Sequence, residues 1–282
     1  MMPIPAAKAY DYNLLSLSCR IYVLIVDRPA GTAVGRFDWL REQRDCHLAK
    51  KIILEISVES LPGAEAAERG GASRLELCSD LSAGGVTPVA GLMPTVRAGV
   101  RLPVFAMVRP RSGGFVYSDA EFAAMKDSIA AAKQAGMDGV VLGILTPEHT
   151  IDIARTRELV ELAAPLPVTF HRAFDVSADL QKSLSEVLQT GAQRILSSGG
   201  AFDALKGSAT LALLRNAARG KIEIMPGMGI NAGNIAEIAR ITRAREIHSG
   251  LGSVLAYGSD SYEVFECEVR KMVTALGTPR PA

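Results

Sequence analysis

From residue 52 onward one hydropathy pattern repeats along the chain. A short apolar run is followed by a longer stretch whose apolar positions recur at helical spacing. The pattern predicts strands over residues 52–56, 74–77, 104–108, 139–142, 168–171, 194–196, 221–225 and 245–248. It predicts helices over 60–69, 89–98, 119–134, 152–163, 180–189, 201–218, 231–241 and 261–276. Each strand is short and rich in Ile, Val or Leu, as a strand covered by helices should be. Ser118-Asp119 and Asp152 stand where helix N-caps are wanted, and Gly70, Gly136, Gly191 and Gly220 stand at helix ends. Eight such units in roughly 225 residues predict a (β/α)8 TIM barrel, an α/β fold, as a single domain over 51–282. An open doubly wound sheet would carry a glycine-rich fingerprint after its first strand. Here Ser57-Val58-Glu59-Ser60 follows instead, so no nucleotide cofactor is expected.

Residues 1–50 break the pattern. They hold Pro3, Pro5, Pro29, the only Trp (Trp39) and a charged run at 41–45. They read as a poorly ordered N-terminal extension, or as translation from an upstream start codon, with room for a short helix at 37–48. A docking arm is the functional alternative.

Alternation along the strands adds chemistry to this frame. Leu54, Ile56, Leu75, Leu77, Val168, Phe170, Ile222, Ile224 and Ile247 form the apolar set that must meet the helices. The opposite set faces the barrel interior: Glu55, Ser57, Glu76, Cys78, Arg109, Thr169, His171, Glu223, Met225, Glu246 and His248. Barrel interiors are ordinarily filled by branched aliphatics, and unpaired buried charge costs several kcal/mol. These groups therefore pair with one another or bind a ligand. One reading is a structural ion network tying Glu55 and Glu76 to Arg109. The other is a polar pocket at the strand ends, where barrel sites form.

The loops after the strands favour the pocket. Arg109-Pro110-Arg111 sets two guanidiniums beside a flexible turn. Ser198-Gly199-Gly200 follows the sixth strand, and Gly227-Met228-Gly229 follows the seventh. Glycine-rich backbone at a helix start can present N–H groups to a phosphate or carboxylate, although tight βα turns need glycine in any case. His171 and His248 are two of four histidines, and either suits general acid–base work near neutral pH. His149 lies in a polar turn and His47 in the extension.

Composition narrows the classes. Hydrophobic residues are 48% and charged residues 22% of the 282, which is globular. A net charge of +1 and no basic run argue against nucleic acid, and the early apolar stretch at 21–26 is too short to cross a membrane. Cys19, Cys46, Cys78 and Cys267 form no CxxC pair, so neither a zinc knuckle nor a disulfide framework is expected, and free thiols in a reducing cytoplasm are the default.

Taken in order and spacing, a set of short motifs resembles the CutC copper homeostasis family. They are Leu54-Glu55-Ile56 with Val58-Glu59-Ser60, Arg74-Leu75-Glu76-Leu77-Cys78, Gly84-Gly85-Val86-Thr87-Pro88, Arg109-Pro110-Arg111 and Tyr117-Ser118-Asp119. They continue with Thr169-Phe170-His171-Arg172-Ala173-Phe174-Asp175, Ser198-Gly199-Gly200 and Met225-Pro226-Gly227. The resemblance spans residues 52–249, with a weaker tail to 276. It implies a (β/α)8 barrel, a cytoplasmic homo-oligomer, and copper handling, with Cu(I) as the expected ion. The copper ligands it implies are a cysteine directly after the first-strand motif and the cysteine of E-L-C. This chain has Ser57 at the first position and Cys78 at the second. Two loops also depart: R-P-R-G-G-D reads Arg111-Ser112-Gly113-Gly114, and M-P-G-G-G reads Met225-Pro226-Gly227-Met228-Gly229.

Two functions follow. One is copper binding through Cys78. The other is a barrel enzyme acting on a small anionic or sugar-like substrate. There His171, His248, Glu55 and Glu76 would do acid–base chemistry, and Arg109, Arg111, Arg172, Asp175, Ser198, Gly199, Gly200, Gly227 and Gly229 would bind substrate. A hydrolase, isomerase or lyase all fit this fold.

Overall fold

The computed structural model describes residues 52–251 and 262–277. The expected extension over 1–50, its helix at 37–48 and the domain boundary after residue 50 lie outside the described residues.

Eight parallel strands form the sheet: β1 (Ile53–Val58), β2 (Arg74–Leu77), β3 (Val104–Met107), β4 (Gly139–Leu142), β5 (Val168–Phe170), β6 (Arg194–Ser197), β7 (Glu223–Pro226) and β8 (Glu246–Ser249). Their order is β7-β6-β5-β4-β3-β2-β1-β8, so β1 is flanked by both β2 and β8. β7 and β8 lie side by side and nearly close a TIM barrel. The helices are α1 (Leu61–Gly70), α2 (Leu92–Gly99), α3 (Asp119–Gln134), α4 (Ile153–Ala163), α5 (Leu180–Val187), α6 (Ser208–Ala218), α7 (Ile235–Thr242) and α8 (Glu263–Gly277). Among the described residues no helix is long and apolar enough to cross a membrane.

Local chemistry explains most boundaries. Ser118 and Glu121 form a reciprocal capping box at the start of α3, and the Asp152 carboxylate accepts from the Arg155 amide at the start of α4. Two expectations shift. Gly70 does not end α1; Gly71 does, with φ 93°. Gly70 is helical, and a Cβ there would lie 2.7 Å from Val269 of α8, so its missing side chain lets the two helices approach. The helix expected over 201–218 begins only at Ser208. Residues before it form bends and turns, and Gly207 lies so close to the Ser198 backbone that a Cβ there would stand 1.8 Å from its carbonyl oxygen. A short 3-10 helix at Arg172–Val176, absent from the periodicity, follows β5.

The outward set is buried as alternation requires: Leu54, Ile56, Leu75, Leu77, Ile195, Ile224 and Ile247 all belong to the apolar layer beneath the helices. The inward set at the N-terminal end of the barrel is an ion cluster. Arg74 donates to Glu55 through Nε and to Glu246 at 2.5 Å, and Arg194 donates to the same Glu246 at 2.9 Å. Both guanidiniums stack on Phe105, at 4.8 and 5.1 Å from its centroid. The ring fits only because Gly139 of the neighbouring strand lacks a Cβ, which would stand 2.6 Å from it. The expected network through Arg109 is therefore replaced by one through Arg74, whose parity on β2 is that of Glu76.

Burial alone would push the Glu55 carboxyl up, but the Arg74 and His248 charges and hydrogen bonds outweigh it and lower it to about 2. A carboxyl lowered on folding stabilises the fold above its unfolded value of 4.5, and that stabilisation is lost as pH falls toward 2. Arg74→Met removes the cation that Glu55 and Glu246 share, leaving buried Glu55 with His248 alone and Glu246 with Arg194. Urea unfolding at neutral pH is expected to show a loss of about 3–5 kcal/mol. Acid unfolding of the variant should begin at higher pH, because burial then dominates Glu55. A variant that unfolds at the wild-type urea and acid midpoints would contradict this account of the cluster.

Candidate functional site

Above the ion cluster, β1, β2 and β8 bring four polar side chains together. Register explains it: Glu55 lies level with His248, and Ser57 with Glu76. The His248 ring is held from below, its Nδ1 2.8 Å from Glu55 Oε1. Its Nε2 is 3.0 Å from Ser57 Oγ, and that hydroxyl donates to Glu76 Oε2 at 2.7 Å. The result is a continuous path Glu55–His248–Ser57–Glu76. With the Ser57 proton directed to Glu76, both His248 nitrogens act as donors, the imidazolium pattern.

Electrostatics separate the members. Burial opposes charge on His248, but Glu76 and Glu55 raise its pKa. Burial raises the Glu76 carboxyl; the His248 charge opposes this, and repulsion from Glu55 adds to it. Glu76 Oε1 is buried and has no hydrogen-bond partner among the described residues. Two carboxylates a few ångströms from one imidazole are thus driven in opposite directions, Glu55 down and Glu76 up.

Ser57, Glu76 and His248 line a cavity of about 580 Å³ at the C-terminal mouth of the barrel. His171, Arg109, Phe115 and Arg172 also line it, with Leu196, Met228, Ile230 and Leu251 among the apolar surfaces. The volume suits a small organic molecule. Glu55 lies beneath the cavity, its other oxygen held by Arg74.

The other expected site residues sort by what they touch. Arg109 lines the cavity, but its guanidinium donates to the carbonyls of Ala83, Gly84, Gly85 and Gly113, at 3.4, 3.1, 2.9 and 2.8 Å. Arg111 is drawn aside by Glu121 at 2.5 Å and by three carbonyls, and it is not among the lining residues. Arg172 lines the cavity while bonded to Asp175 at 2.9 Å and to Met228 Sδ at 3.1 Å. The Ser198-Gly199-Gly200 turn has its donors engaged from within. The Asp175 carboxylate accepts from the amides of Ser198 and Gly200 and from both the Ser197 and Ser198 hydroxyls. The Gly199 amide donates to Ser197 Oγ. The Gly227 amide donates to Ser197 O at 2.9 Å, and a Cβ on Gly227 would overlap Leu196. Gly229, at φ 69°, lines the cavity mouth.

Cys78 sits behind the wall rather than on it. Its Sγ lies 3.5 Å from Glu76 Oε2, and Gly85 and Met107 pack over it. Burial, then the Glu76 charge, push its thiol well above the ordinary range. Met225 turns away from it, its sulfur accepting from Arg74 at 3.2 Å. Sequence reasoning missed Arg74 and Arg194, although both open their strands on the interior parity. It also missed Phe115, which comes from a loop that no periodicity marks.

Comparisons with known proteins agree with this architecture. The model of the CutC family matches residues 52–253. A CutC family protein of Chromobacterium violaceum is 45% identical over 197 residues, 70% of this chain and 80% of that protein. A Homo sapiens protein named copper homeostasis protein cutC homolog is 44% identical over 200 residues, 71% of this chain and 73% of that one. The crystal structure of a CutC copper homeostasis protein from Streptococcus agalactiae superposes with a TM-score of 0.66 at 33% identity, covering 70% of this chain and 98% of that one. A phosphoribosylanthranilate isomerase from Pyrococcus furiosus, at 16% identity and TM-score 0.51, shares the barrel fold alone. The match over nearly the whole described barrel, with relatives near 45% identity, places this chain in the CutC copper homeostasis family.

Proposed function

We propose that this CutC family protein is a barrel enzyme whose cavity performs acid–base chemistry on a small anionic or sugar-like substrate. One observation carries the reading: the buried path Glu55–His248–Ser57–Glu76 ends at a residue lining the cavity, with a carboxylate oxygen that has no partner among the described residues. Glu76 takes or gives the substrate proton through Oε1. His248 supplies a mobile proton behind it, relayed by the Ser57 hydroxyl. Glu55 fixes the His248 ring and its tautomer, the part a buried carboxylate plays behind a catalytic imidazole. Arg172, at the mouth, meets an anionic group of the substrate, and Arg109 adds fixed positive potential beside it. Proton transfer, elimination and hydrolysis are the reaction classes these groups serve.

Small 2-oxo acids, hydroxy ketones and sugar phosphates at millimolar concentration are screened for thermal stabilisation, and hits are incubated in D2O. Wild type is expected to exchange carbon-bound hydrogen of a hit for deuterium. Glu76→Gln and His248→Asn should each slow that exchange about 100-fold or more. An empty screen, or exchange at the wild-type rate in Glu76→Gln, defeats the proposal.

A second reading keeps copper, the ion in the human relative's name. One donor atom each from Glu55, Glu76 and His248 lies within 4.8 Å of the others, and the Cys78 sulfur adjoins Glu76. His248, Glu76 and Cys78 would hold the ion, with Glu55 orienting the histidine. Nitrogen and oxygen donors outnumber sulfur, so this set suits Cu(II) better than the Cu(I) expected from a thiol pair. Titrations with Cu(II), and with Cu(I) against a chromophoric competitor, are expected to show binding weakened at least tenfold in Cys78→Ala. Equal affinity in wild type and variant removes the copper site. The same reading takes the protein as a cytoplasmic homo-oligomer, and a single-chain mass in light scattering would remove the oligomer.

A further inference from the structure

His171, at the end of β5, stands across the cavity from Glu76 and takes no part in the relay. Its backbone and ring are both held in place. Its backbone amide is bonded to Leu142 O at 2.8 Å. Its ring packs 5.0 Å from Phe115 and edge-on to Phe170 at 6.2 Å. Its Nδ1 accepts the Ala173 amide at 3.2 Å, at the start of the 3-10 helix Arg172–Val176. The ring also rests on Gly143, where a Cβ would lie 2.5 Å from Nδ1. Since Nδ1 is an acceptor, the ring proton is on Nε2. That nitrogen is buried and has no partner among the described residues.

We infer that His171 is a permanent Nε2–H donor to a ligand oxygen, and that the cavity's substrate is a small carbonyl compound that passes through an enolate. The inference rests on the acid–base reading of Glu76 and names the substrate class that reading leaves open. A group that donates and cannot accept selects an acceptor atom. Being neutral, it adds no charge to attract a phosphate, but it strengthens its bond as negative charge grows on a carbonyl oxygen. Neutral imidazoles held by a helix start are used for this purpose in isomerisation. Burial first, then the Arg109 charge, hold the His171 pKa down to about 3, so the donor persists at working pH. In the step itself the Glu76 carboxylate takes the proton from the carbon beside the carbonyl. The C–H electron pair becomes the C–C π bond, the carbonyl π pair moves onto oxygen, and His171 donates to that oxygen. The proton returns from Glu76 to carbon or oxygen of the same skeleton, so nothing is oxidised or reduced.

The full-length protein carrying 15N-labelled histidine provides the test. Long-range 1H–15N spectra should show His171 as the neutral Nε2–H form from mildly acidic to mildly alkaline pH. Glycolohydroxamate, a stable mimic of a planar enediolate, should shift that Nε2–H resonance and raise the melting temperature. His171→Phe should weaken hydroxamate binding at least tenfold, and Gly143→Ala, which displaces the ring and leaves the donor, should weaken it too. Inorganic phosphate should leave the resonance unmoved. A His171 that titrates near the ordinary histidine value, or carries its proton on Nδ1, overturns the inference, as does a resonance that answers to phosphate and not to the hydroxamate. These outcomes are separate from the earlier test: deuterium exchange that survives in Glu76→Gln sinks the acid–base reading whatever the state of His171.

Discussion

The Glu55 carboxylate is the contact on which the barrel interior depends. One oxygen takes the Arg74 guanidinium from the N-terminal end and the other takes His248 Nδ1 toward the mouth. A fully buried anion is tolerable only because both partners are present. The same charge therefore closes the base of the barrel and sets the orientation of the histidine at its top. Stability and chemistry meet in one side chain, which is unusual for a fold that commonly keeps them at opposite ends.

Below Glu55 the barrel trades its usual aliphatic layers for arginine, glutamate and one aromatic ring. Above it, the polar groups divide into two walls of unlike character. The β1–β2–β8 side holds two carboxyls driven in opposite directions, Glu55 down and Glu76 up, around one histidine. The other side holds His171, at the end of β5, whose pKa burial and the Arg109 charge push down, and Arg109 itself, at the end of β3, whose hydrogen bonds go to backbone carbonyls. Asp175 fills the turn after β6 and also holds the neighbouring Arg172, which lines the cavity.

Much of this is legible from the residues in order. Strand positions follow from short apolar runs, and alternation alone places Glu55, Ser57, Glu76 and His248 inward. Adjacency of β1 with β8 is not a local property, since it arises from closure, yet it is what brings His248 to Glu55. Arg74 escapes notice as a strand-opening residue, though it shares parity with Glu76. The Ser198-Gly199-Gly200 turn has the composition of an anion cradle, and composition cannot reveal that a carboxylate of the same chain already fills it. The N-cap role of His171 is hidden for a similar reason: the 3-10 turn it caps has no hydrophobic period.

Phe105 and Gly139 face each other on neighbouring strands with no room for a side chain between them. Neither position is free alone. A residue with a Cβ at 139 demands a smaller group at 105, and a smaller group at 105 takes away the surface on which Arg74 and Arg194 lie. Across related barrels these two positions should therefore vary as a linked pair, together with the charges that stack on them, so their coupling would record the ion cluster in lineage histories where no structure has been determined.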